Sequence, residues 1–132
     1  MTKALSIWKA MTIFDENNHK STMFRDTSFI GRLHEEGVVD TEEYFHLEEW
    51  LWKEFKSYDG KVPKEIIVRY GIMTTVVLKS IVHHQDENDG YKIIDITMEE
   101  LHNLMERMHQ ILEGLSNGKM PKKEHLPNLR DA

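Results

Sequence analysis

With 132 residues, 23 acids against 17 bases and no cysteine, the chain reads as one domain, long enough to bury a core without disulfide or metal staples. Its net charge of −6 disfavours a general nucleic-acid binder, which needs a basic footprint. Without cysteine there is no disulfide framework, no cysteine–zinc site and no thiol nucleophile, in agreement with a reducing compartment.

The first fourteen residues, MTKALSIWKAMTIF, hold neither a long apolar core nor a small-residue cleavage pattern, so no secretory signal is expected. Leu5, Trp8, Met11 and Ile13 or Phe14 fit one face of a helix, while Ile7, Met11 and Ile13 equally fit a short strand. DENNHKST, from Asp15 to Thr22, is a polar loop that turns at Asn17-Asn18. Asp26, Thr27 or Ser28 can then cap a short helix by accepting from its free N–H groups. Phe29, Ile30 and Leu33 form its buried side, and Gly37 ends it. Asp40 starts the next helix, with Glu43 spaced as its capping-box partner and Val39 and Tyr44 placed for the hydrophobic staple. Tyr44, Leu47, Leu51, Phe55 and Tyr58 follow at three- and four-residue steps, and Asp59-Gly60 is the stop.

Pro63 suits the first turn of a third helix, which runs to about His84 through the most hydrophobic window of the chain. Eleven of the seventeen residues from Ile66 to Val82 are apolar and none is an acid. Arg69, Thr74, Thr75, Lys79 and Ser80 gather on no single face, which predicts a helix buried all round, at the centre of the molecule and away from any partner. With two cations in so short a window, no membrane span is expected. After the loop QDENDG, Tyr91–Ile96 is the best strand candidate. Thr97 and Glu100 make a second capping box. Leu101, Leu104, Met105, Met108, Ile111, Leu112 and Leu115 form one stripe, closed by Asn117-Gly118. The tail after it holds two prolines and four bases, and is expected to be irregular and partly mobile. The architecture is therefore mainly α: a small helical bundle around a central hydrophobic helix, with at most a minor short β element. It forms a single domain over 1–132 with an irregular tail over 119–132.

Two Glu-x-x-His pairs, Glu43–His46 and Glu99–His102, have the spacing used by di-iron bundles. At about 100° per residue, both pairs point away from the apolar stripes of their helices, and first-turn acids are already explained by the helix dipole. The third helix offers no bridging glutamates. His83-His84 with Asp86, Glu87 and Asp89 is rich in ligand atoms but fails the EF-hand register, because Ile96 would fall on the closing position. No GxSxG, phosphate-binding glycine loop or HExxH occurs. No metal, cofactor or catalytic residue is expected. Glu48 falls inside an apolar arc and needs a partner; Arg69 and Arg32 are the candidates. For partner binding, the sequence offers Trp50 and Trp52, as interface anchors if exposed, and the acids Glu35, Glu36, Glu42, Glu49, Asp86, Glu87 and Asp89, which could meet a basic surface.

SFIGRLHEEGVVDTEEYFHLEEWLW, from Ser28 to Trp52, resembles a segment in one family of bacterial polymorphic-toxin immunity proteins, of the contact-dependent growth inhibition type. NDGYKI (Asn88 to Ile93) and LEGLSNGKMP (Leu112 to Pro121) sit where further matches belong. The resemblance spans Thr27 to Pro121 and consists of helix starts and glycines, so no binding residue carries over. It implies a cytoplasmic, non-catalytic protein; the oligomeric state stays open, with a monomer favoured. Such a protein binds a cognate toxin domain, often a basic nuclease, and occludes its active or substrate-binding surface without touching nucleic acid or membrane. The alternative is a phage or mobile-element inhibitor that mimics nucleic-acid charge to block a host enzyme.

Overall fold

The computed structural model describes residues 12–129. They form α1 (described over 12–16), α2 (Phe29–Glu36), α3 (Thr41–Ser57), α4 (Lys64–Gln85) and α5 (Met98–Asn117), followed by one 3-10 turn at Lys123–His125. The helix-or-strand choice for Leu5, Ile7, Trp8 and Met11 lies outside the described residues. Ile13 and Phe14 are helical, α1 takes in Asp15 and Glu16 from the expected loop, and Phe14 is buried.

The caps follow local chemistry. Of the three candidates ahead of α2, Ser28 is the cap: its Oγ accepts from the Gly31 N–H at 2.9 Å. Gly37 ends α2 at φ 66°, and a Cβ there would lie 2.1 Å from the Lys92 carbonyl oxygen, so glycine is required twice over. Asp40 caps α3 through the Glu43 N–H at 3.1 Å. The Glu43 side chain lines a surface pocket, and the full two-way capping box forms at α5, between Thr97 and Glu100. Pro63 stands at the N-cap of α4, one position before the first turn.

Packing centres on α4, which lies against both α2 and α5. It is antiparallel to α5, with Gly71 facing Leu112 and Leu78 and Ile81 level with Met105 and His102. Ile66, Tyr70, Met73, Val77 and Ile81 form its buried face and meet Ile30, Leu33, Leu101, Leu104, Met108 and Ile111 in one core. The opposite face is bare: Val68, Ile72, Leu78 and Val82 stand 48–56% exposed. The expectation of burial all round is thus corrected. Two short helices, two longer ones and a tail leave one side of a 22-residue helix open, about 33 Å long at 1.5 Å per residue, and its polar residues are spread over both faces. Thr74 and Ser80 can sit inside because each hydroxyl donates to a carbonyl four residues back, Tyr70 and Val76 respectively. By length and composition α4 also meets the test for a membrane-crossing helix, a test that core helices pass as well.

Two buried polar contacts tie α3 down. The Tyr44 and Tyr70 hydroxyls meet at 2.8 Å, joining α3 to α4. Glu48, 3% exposed, is held by the Arg107 guanidinium of α5 in a two-pronged pair, Nε at 2.8 Å and Nη2 at 2.5 Å. This corrects the expected partners: Arg69 pairs with Asp15, and Arg32 with Glu36 and Asp40. The spacing along α5 hid Arg107, because its cation occupies an otherwise apolar helix side.

Tyr91–Ile96 forms no strand. Ile93 is buried and the Ile94 N–H donates to the Gly37 carbonyl at 2.8 Å, but a helix end offers no ladder to extend, and Asp95 turns the chain at φ 56°. The tail is irregular outside its one turn, yet it is docked. Leu126 and Leu129 are buried, Arg107 donates to the Pro127 carbonyl at 3.0 Å, and Met120 closes over Gly114.

Candidate functional site

The topology brings four charged segments to one end of the bundle: the end of α2, the start of α3, the loop after α4 and the start of α5. Gly37 abuts Lys92 and Ile93, the Tyr91 hydroxyl donates to the Leu33 carbonyl, and Arg32 bridges to Asp40. Residues 35–43 hold five carboxylates and 86–100 hold six, against Arg32 and Lys92 as permanent cations. Both cations are engaged. Lys92 Nζ donates to the His84 and Asp86 carbonyls at 3.0 and 2.9 Å, closing the C-terminus of α4. Arg32 reaches Glu36 at 3.0 Å and Asp40 at 2.9 Å, and these carboxylates raise its pKa.

The acids differ in what they have left to offer. Partial burial alone would lift the Asp40 carboxyl, but the Glu43 N–H and the Arg32 guanidinium outweigh it and hold it below the usual range. The Tyr91 N–H and the His83 imidazole, at 2.9 and 2.7 Å, likewise hold Asp89 down. Asp86 accepts from the Asn88 N–H at 2.9 Å, which shapes the loop. Glu35, Glu42, Glu87 and Glu99 point into solvent; the His34 ring lies 3.9 Å from the Glu35 carboxylate. The exposed carboxylates therefore ride on a scaffold fixed by the paired ones.

Of the residues singled out in the sequence, Glu35, Glu36, Glu42, Asp86, Glu87 and Asp89 are brought to this end. Glu49 lies further along α3, paired with Lys53 at 3.6 Å. Neither tryptophan is an exposed anchor. Trp50 is half-buried, edge-on to Phe14 at 6.2 Å. Trp52 is half-buried under the Lys123 ammonium, 4.9 Å from the ring, and its buried Nε1 finds no acceptor among the described residues. The exposed aromatic of α3 is Phe45, 40% exposed beside Glu42 and Glu49 and stacked by Arg107 at 5.1 Å. Its place just off the apolar stripe was the available signal.

Glu43 and His46 share a surface cavity of about 430 Å³ with Glu16, Asn17 and Arg25. Among the described residues no three His, Asp or Glu side chains converge as a metal site. Chemically, the acidic end can present carboxylates to cationic groups and release counter-charge on binding. Comparison with protein-family models, with curated proteins and with solved structures finds no match to this chain.

Proposed function

We propose that this chain is an immunity protein: a cytoplasmic binder that neutralises a toxin domain bearing a basic substrate groove, by laying its acidic end across that groove. The observation that carries the reading is the gathering of eleven carboxylates, from four separate segments, at one end of the bundle, against Arg32 and Lys92, both committed to the scaffold, and Arg25, which flanks Glu35 and Glu43 and pairs with Glu16. Carboxylates on α3, α5 and the loop after α4 take the place of substrate phosphates, and their field speeds encounter with a cationic partner. Phe45, beside Glu42, supplies the apolar contact. The resemblance of Ser28 to Trp52 to the immunity family supports the same reading. A nucleic-acid mimic of the phage type needs its charges in a long stripe. Here they form a compact cap, which favours a single enclosed groove as the target.

The test is co-expression. The protein encoded immediately upstream is produced in a sensitive host, alone and together with this chain. Growth arrest that this chain relieves supports the reading; a harmless neighbour, or one still lethal in the presence of the chain, overturns it. With the complex in hand, the triple variant Glu35→Lys, Glu42→Lys, Glu87→Lys is expected to slow association at least tenfold at low salt while leaving the fold intact.

A further inference from the structure

A cavity of about 430 Å³ opens between the end of α1, the start of α2 and the first two turns of α3, within the ~300–1,000 Å³ of small-ligand sites. Its floor is apolar: Phe29 and Leu47 are buried, and Ile13 is half-buried beside them. Its walls are fixed by local bonds. The Asn17 side chain donates to the Ile13 carbonyl and accepts from the Ile30 N–H, both at 2.9 Å. The Arg25 N–H donates to the Glu16 carbonyl at 2.9 Å. Ser28 Oγ donates to the Arg25 carbonyl and accepts from the Gly31 N–H. Asn17 and Ser28 are thus committed to the scaffold.

Glu16, Glu43 and His46 line the same cavity and are not so committed. Glu43 stands at the third position of α3, from which a capping-box glutamate reaches back to the N-cap. No box closes there, and its carboxylate lines the cavity instead. His46 follows three residues later on the same side of α3, with about 5–6 Å between the two Cβ atoms. Glu16, on the α1 wall, holds Arg25 only loosely: Arg25 Nη1 is 3.7 Å from its Oε2, and Nη2 reaches Thr27 Oγ1 at 3.4 Å. The ion pair is long against the about 2.7–2.9 Å of a tight charge-assisted bond, and the Arg25 side chain is 62% exposed.

We propose that this cavity binds an alkylguanidinium, with its planar head between Glu43 and Glu16 and its aliphatic stem over Phe29 and Leu47. This goes beyond the toxin-binding reading and does not rest on it. Charge sets the class: two carboxylates face one guanidinium in the lining, so the cavity favours a further cation. Shape sets the head. Carboxylates on two walls suit a donor that forks. A guanidinium carries five N–H groups in one plane and a flat face that can lie on the His46 ring, whereas an ammonium is a compact point charge. The chain already brings one guanidinium to this mouth. Arg25 reaches Glu16 from the solvent side, at a length that leaves the carboxylate open to a better-placed donor. An incoming guanidinium therefore competes with Arg25 for Glu16 and is repelled by it. A free guanidine and an arginine side chain presented by a protein carry the same head.

The test is titration of the full chain with butylguanidinium, N-acetylarginine methylamide and butylammonium, followed by the His46 ring C–H resonances in proton NMR. Butylguanidinium should shift them saturably and bind at least threefold more tightly than butylammonium. Whichever of butylguanidinium and N-acetylarginine methylamide binds more tightly tells a free guanidine from a protein's arginine. Glu43→Gln should weaken binding at least tenfold. Arg25→Gln should tighten it at least threefold, a gain that misfolding cannot produce. Glu87→Gln, in the loop after α4 and outside the cavity, should leave it unchanged. The absence of a saturable shift at His46 overturns the proposal. So does equal binding of butylammonium, an affinity indifferent to Glu43→Gln, or an Arg25→Gln chain that binds no more tightly than the parent. A Glu87→Gln chain weakened as much as Glu43→Gln reduces the effect to the general field of the acidic end and equally overturns it.

Discussion

Arg107→Met isolates the strongest polar contact in the molecule. Arg107 is 9% exposed and Glu48 3%, and the guanidinium meets both carboxylate oxygens while its third nitrogen holds the Pro127 carbonyl. Burial pushes the arginine pKa down, and the facing Glu48 carboxylate more than restores it, so the net direction is up. Methionine fills similar volume but leaves Glu48 charged and unpaired in the core. Removing one partner of a buried pair costs about 3–5 kcal/mol, a large part of the roughly 5–15 kcal/mol that holds a domain together. For a domain of this size, that is a fall of about 10–20 °C in Tm. The double variant Glu48→Leu, Arg107→Met removes both charges and is expected to recover most of the loss, since apolar replacement of a buried pair is often neutral. Urea denaturation followed by circular dichroism, run as a double-mutant cycle, reads both quantities. A single variant costing under about 1 kcal/mol, or a double variant no better than the single, would refute a desolvated pair joining α3 to α5.

Val77→Asp puts a carboxylate on the buried face of α4, where Val77 is 1% exposed; a loss above about 4 kcal/mol should leave no soluble folded protein. Val68→Asp on the outer face should cost no more than about 0.5 kcal/mol, and a stable Val77→Asp chain would mean the core is misplaced. The Asp40 carboxyl has a lower pKa folded than unfolded, so its stabilisation is present above the ordinary carboxylate range and is lost as pH falls. Asp40→Asn keeps a cap but not the Arg32 pair, and should cost about 0.5–1 kcal/mol near neutrality and almost nothing in acid, measured by thermal melts at the two pH values. Tyr44 and Tyr70 are raised, first by burial, so their stabilisation is full below the ordinary phenol pKa and is lost as pH rises. Two of the four tyrosines should ionise only as helicity collapses; four phenolates with the helices intact would contradict the buried pair.

What was legible in the sequence was what local chemistry decides. Asp40, Thr97, Gly37 and Gly118 mark helix ends because caps and left-handed turns need those residue types, and the same rule narrowed the start of α2 to Asp26, Thr27 or Ser28. The Leu101–Leu115 stripe showed its period because one face of α5 is buried. α4 misled because composition reports how much apolar surface a helix has, not how many neighbours cover it. Its polar residues were scattered because Thr74 and Ser80 satisfy themselves on their own backbone inside the core, while Val68, Ile72 and Val82 stay outside. Glu48 was rightly read as needing a cation, but its partner is 59 residues away, and no local spacing points across that distance.

The charge of the molecule follows the same division between local cause and tertiary consequence. Each acid at the start of α3 and α5 complements its own helix dipole, and each is unremarkable where it stands in the sequence. The acidic end exists because α2 finishes, α3 starts, α4 finishes and α5 starts at the same place, an arrangement set by the short link after Gly37 and by the strap of Lys92, Ile93 and Ile94 across it. That strap has a side-chain tie as well: the Ile93 N–H donates to His84 Nδ1 at 2.9 Å. It ties the loop carrying Asp86, Glu87 and Asp89 to the end of α4, beside the two carbonyls that Lys92 holds. The loop acids are therefore positioned by a histidine and a lysine. His84→Ala is expected to loosen the loop, seen as faster amide exchange at Ile93 and Ile94, with the core amides of α4 unchanged. Exchange at Ile93 as slow as in the parent chain would mean that Lys92 alone holds the loop.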